Sequence, residues 1–122
     1  MANNFERQVV TLANYGVDCL VCADGAAIPA AALELSHVIP KGKVITAVIL
    51  RNMKDNLAGG GSVTIKAGST TLGSAFTASN VKGTSVAQFL DSPVVLTADE
   101  HVVVSPSAAI TAGDLDVIIL YV

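Results

Sequence analysis

Residues 110–122 read ITAGDLDVIILYV. After the turn signal Gly113-Asp114 the run is apolar at nearly every position, and Asp116 is its single polar interruption. Side chains along a strand alternate between two faces. Leu115, Val117, Ile119 and Tyr121 therefore share one face, and Asp116, Ile118, Leu120 and Val122 share the other. A strand with only one face in a core carries polar residues at every second position. This one does not, so both of its faces call for cover.

The segment around residues 43–52 behaves in the same way. Ile45, Ala47 and Ile49 lie on one side and Val44, Val48 and Leu50 on the other, interrupted by Thr46. By contrast Ser62-Val63-Thr64-Ile65-Lys66-Ala67 alternates cleanly, which predicts one wet face. Strand signals dominate the rest of the chain: short β-branched or alternating runs separated by Gly, Pro, Asn and Asp. They predict strands at Gly16 to Cys22, Leu33 to Ile39, Lys43 to Asn52, Ser62 to Ala67, Thr70 to Phe76, Ser85 to Leu90, His101 to Ser105 and Leu115 to Val122. Pro29 to Leu33 is the one candidate for a turn of helix. Eight short strands with turn signals between them suggest an all-β sandwich, and the antiparallel jelly roll is its eight-stranded form.

At 122 residues the chain is one domain in size. Residues 15–122 are expected to form the jelly roll, and residues 1–14 an N-terminal arm or an extra strand. In jelly-roll order the first, third, sixth and eighth strands lie in one sheet. Both doubly apolar strands fall there. The core needs one face of that sheet, so the outer face is expected to pack on another copy, in a homo-oligomer. The alternation cannot decide which set of the third strand faces outward, since both are apolar. Val48, Leu50, Ile118, Leu120 and Val122 are the expected interface.

Composition agrees. Apolar residues make up 52% and charged residues 14% of the chain, against about 25% charged in typical domains. A small domain with so few charges is expected to have part of its outside covered. The net charge is −3, and the one basic cluster is Lys41-Gly42-Lys43. A nucleic-acid partner, which needs a cationic footprint, is not expected. The start lacks the apolar core of a signal peptide, and no stretch approaches about 18 consecutive apolar residues. The expectation is a protein made in the cytoplasm, with no membrane partner.

Several constellations have residue types that carry chemistry. Cys19-Leu20-Val21-Cys22 has the spacing of a redox pair or half a zinc site, but positions i and i+3 of a strand face opposite ways. Free thiols are the reading. Asp99-Glu100-His101 offers two carboxylates and an imidazole, and is read as a solvent-facing turn. Asp114 and Asp116 are spaced to share Ca²⁺ with backbone oxygens, and are read instead as a turn residue and strand-edge polarity. Gly59-Gly60-Gly61-Ser62 precedes a strand rather than a helix, which excludes a phosphate cradle and suggests a loop tip. Lys41 and Lys43 belong to a turn that opens the next strand. His37 and His101 are too few for a cupin-type metal enzyme. Phe5, Tyr15, Phe76, Phe89 and Tyr121 are scattered, which weighs against a sugar-binding aromatic platform. No catalytic residue, cofactor or metal is expected, and the protein is read as a non-enzyme.

Two phrases, LELSHVIPKGKVITAVILRN (residues 33–52) and VVLTADEHVVVSPSAAITAGDLDVIILYV (residues 94–122), resemble the small jelly-roll decoration, or cement, proteins of tailed bacteriophage capsids. The resemblance implies a homotrimer on the virion surface that binds the major capsid protein and stabilises the shell. It also implies that the N-terminal arm reaches the capsid, with Phe5, Val9, Val10 and Leu12 as anchors and Arg7 as a polar contact. A frayed terminus or a ninth strand is the alternative for that segment. Similar jelly rolls form fibres and tail tips, so a module binding host-surface glycan is the competing function.

Overall fold

The computed structural model describes residues 6–12, 15–21, 28–51, 58–59, 61–77 and 85–122, with the backbone alone for residues 6–12, 15–21 and 114. The architecture is all-β, and no helix occurs among the described residues. The described residues form eleven strands in chain order: β1 (Glu6–Leu12), β2 (Tyr15–Val21), β3 (Leu33–Ile39), β4 (Val44–Arg51), β5 (Ala58–Gly59), β6 (Ser62–Ala67), β7 (Thr70–Thr77), β8 (Ser85–Val95), β9 (Glu100–Pro106), β10 (Ile110–Ala112) and β11 (Asp114–Tyr121). The expected helical turn at Pro29 to Leu33 is absent. Ile28 instead bridges to Ile110 through paired backbone hydrogen bonds of 2.8 and 2.9 Å, and Pro29 is poorly suited to continue a ladder beyond it.

A five-stranded sheet runs β1-β2-β11-β4-β8, a four-stranded sheet runs β3-β9-β6-β7, and β5 pairs with β10 in a small ribbon. All pairings are antiparallel. The arrangement is consistent with a β-sandwich. One core draws on both larger sheets: Ile45, Val48, Leu50, Leu115, Val117, Ile119 and Tyr121 from one, and Leu35, Ile39, Val63, Ile65, Leu72, Phe76, Val102 and Val104 from the other.

β11, doubly apolar, lies centrally, flanked by β2 and β4. β7 and β8, whose residues are mostly exposed, lie at sheet edges. β8 is longer than its apolar pattern predicts, because Leu90 to Pro93 form a bulge. The register with β4 jumps from Ala47↔Phe89 to Ile45↔Val94. Proline and a charged residue are tolerated there because β8 has no neighbour on its other side among the described residues.

Candidate functional site: the outer face of the larger sheet

Residues directly opposite one another in an antiparallel ladder share a face, so the registers assign both faces of β11, β4 and β8. Val117 pairs with Leu50 and Ile119 with Val48, and all four belong to the core. The alternate rows face outward. Asp116 pairs with Arg51 and Ile118 with Ile49, which continue to Ser85 and Ala87 on β8. Leu120 and Phe89 both pair with Ala47. Val122 exchanges two 3.0 Å backbone hydrogen bonds with Val44, which pairs with Val95.

Three of these four rows are wholly apolar. Exposure rises along the face: Ile118 is 8% exposed and Leu120 half-buried, whereas Val95 is 61%, Val122 63% and Phe89 76% exposed. The closed end carries its only described charges, already neutralised. Arg51 Nε and Nη2 donate to Asp116 Oδ2 at 3.0 and 2.9 Å.

Val48 and Leu50, expected on this face, are fully buried in the core. The outward apolar residues of β4 are Val44, Ala47 and Ile49. The cause is a bulge at Thr46, which has no partner between the pairs Tyr121↔Ile45 and Leu120↔Ala47. An extra residue shifts the alternation by one, so Ile45 and Val48 both point inward. The Thr46 hydroxyl donates to the Leu120 carbonyl at 3.3 Å, anchoring the bulge. Ile118, Leu120 and Val122 lie on the outer set. Of the expected arm residues, Phe5 lies outside the described residues. Arg7, Val9, Val10 and Leu12 lie in β1, which pairs with β2.

The remaining constellations are placed as follows. Cys19 is in β2, and Cys22 lies outside the described residues. Asp116 is committed to Arg51. Asp99 Oδ1 accepts from the Lys41 backbone N–H at 2.8 Å, closing the turn that opens β4. His101 Nδ1–H donates to the Leu35 carbonyl at 2.8 Å, with Nε2 3.7 Å from Glu34. His37 lies in the core, its Nε2 3.3 Å from the Tyr121 hydroxyl, so the two histidines occupy different environments. Burial pushes the Tyr121 phenol above its usual value. Gly59, expected in a loop tip, is tied into the ribbon through Ile110. Its positive φ of 80° and a backbone oxygen of Ala109 where a Cβ would sit favour glycine there. Among the described residues, no group of three or more His, Cys, Asp or Glu side chains is placed to hold a metal.

Sequence reasoning missed Val44, Ala47, Ile49, Phe89 and Val95 as members of the outer face. Their apolarity was visible, but their alignment depends on two bulges and on pairings between distant strands. Compared with known proteins, the chain matches no family model, no curated protein and no solved structure.

Proposed function

We propose that the chain is a non-enzymatic virion structural protein: a jelly roll that self-associates as a homotrimer and decorates a phage capsid. The observation that carries this reading is the apolar outer face of β11, β4 and β8, with Leu120, Phe89, Val95 and Val122 at its exposed end. Burying each such side chain stabilises by about 1.5–3 kcal/mol, and a second and third copy present the same chemistry. The strand orders β2-β11-β4-β8 and β3-β9-β6-β7 support the jelly roll, with β1 as an added edge strand.

The mechanism is linkage. A protein that binds the assembled shell and not its separated subunits stabilises the shell in proportion to its occupancy. Three linked contacts hold more tightly than one. The major capsid protein is the partner, and the virion surface is the location.

Size-exclusion chromatography with light scattering tests the first half. A mass of three times 12.4 kDa is expected at micromolar concentration, and a monomer overturns the trimer. Virions lacking the protein test the second. They are expected to rupture at lower temperature than complete ones, and equal heat resistance overturns the decorating role.

A further inference from the structure

β7 and β8 are the edges of different sheets, and a cleft of about 460 Å³ lies between them. Ligand sites run from about 300 to 1,000 Å³. Each edge bulges where it lines the cleft. On β7 the register jumps from Val63↔Phe76 to Ile65↔Leu72, leaving Gly73, Ser74 and Ala75 opposite Thr64. On β8 the bulge is Leu90 to Pro93. Bulges of this kind end strand addition at an edge, which disfavours an incoming peptide strand as occupant. They also re-aim side chains beside functional sites.

One hydrogen bond orders the cleft. The Ser74 backbone N–H donates to Gln88 Oε1 at 2.8 Å. Because that partner is a donor, the amide oxygen must face it, and the Gln88 NH₂ must face elsewhere. Gly73 has a φ of +66°, and a Cβ there would overlap Gln88 Oε1. The glycine thus leaves room for the glutamine's fixed pose. Among the described residues, neither the Gln88 NH₂ nor the Asp91 carboxylate has a protein partner. Ser74 and Ser92 also line the cleft, together with the apolar Leu90 and Phe89.

A fixed amide donor, a carboxylate acceptor, hydroxyls and an apolar wall match the alternating O–H and C–H surface of a sugar ring. Among the described residues the lining holds no Lys, Arg or His and has one carboxylate, which disfavours an anionic ligand. We propose that the β7–β8 cleft binds a neutral carbohydrate, with Asp91 accepting from ring hydroxyls and Gln88 donating to one.

The described lining comes from one chain, and it shares Phe89 with the outer face of the larger sheet. The test is titration of the full chain, followed by amide chemical shifts. Glucose, galactose, mannose and N-acetylglucosamine are the neutral probes; inorganic phosphate and N-acetylneuraminic acid are the anionic ones. A glycan array extends the test to oligosaccharides. At least one neutral probe is expected to shift the Ser74, Gln88, Asp91 and Ser92 amides saturably. Asp91→Asn and Gln88→Ala, both at partly or fully exposed positions, should each weaken binding about tenfold or more while leaving the remaining amide spectrum in place. Failure of every neutral glycan in both assays overturns the proposal. So does response to the anionic probes alone, or unchanged affinity in the folded Asp91→Asn variant.

Discussion

The two larger sheets share one core yet present opposite outer faces. On the four-stranded sheet the outward positions are Glu34, Ser36 and Val38 of β3, His101, Val103 and Ser105 of β9, and Ser62, Thr64 and Lys66 of β6, which are polar with two exceptions. On β11, β4 and β8 the corresponding rows are apolar but for Arg51, Asp116 and Ser85. The core imposes the same demand on both inner faces, so it cannot account for the difference between the outer ones. An apolar outer face on one sheet alone points to a contact made by that sheet alone.

Two adjacent residues of β11 give the sharpest test. Ile119→Asp places a charge inside the core, where Ile119 is 1% exposed. It is expected to destabilise the chain by more than about 4 kcal/mol, read by urea unfolding. Leu120→Asp places the same charge one position along, on the outer face. The chain should then stay folded by circular dichroism and elute as a monomer; a retained trimer would remove this face as the interface.

A smaller effect is expected at Tyr121, where the inner face of β11 meets His37. Tyr121→Phe removes the hydroxyl contact, and a loss of about 1 kcal/mol at neutral pH is expected. The same substitution changes the alkaline limb of stability. Burial raises the folded phenol above its ordinary value of 10.0, so the unfolded chain ionises first. Stability is whole below pH 10 and falls as pH rises through the folded value. The phenylalanine variant should lose that part of the alkaline decline; unfolding curves from pH 9 to 11 that stay parallel for the two proteins would contradict it. The smallest effect belongs to the wet sheet. Lys66→Glu should change stability by no more than about 0.5 kcal/mol and leave the proposed oligomer intact, measured by the same unfolding and light-scattering runs.

Much of this contrast is legible in the sequence, because period-two alternation is local. SVTIKA gives the wet face of β6 directly, and DVIILYV gives the division of β11 into core and outer sets. The division of β4 is not legible. Val44 to Leu50 is apolar at both parities, so nothing in the pattern marks where Thr46 shifts the phase, and Val48 and Leu50 fall on the wrong side. β8 illustrates a second limit: Asp91-Ser92-Pro93 has the chemistry of a turn, and only its edge position lets it continue a strand. The cleft was out of reach for a related reason. Gln88 meets Ser74 through tertiary pairing, and neither residue carries a motif. The ribbon of β5 and β10 is too short for any periodicity to announce it.

The central position of β11 also sets what its docking must accomplish in folding. Its register joins Leu120 to Tyr15 on one side and to Ala47 on the other, so the sheet closes only after a long loop has been brought together, a slow step for any chain. Without β11, β2 and β4 have no partner between them, and every apolar row of the outer face lacks one of its members. The surface that would recognise another copy therefore comes into being at the same moment as the finished fold. Assembly through it would act as a proofreading step, admitting complete subunits and passing over partly folded ones.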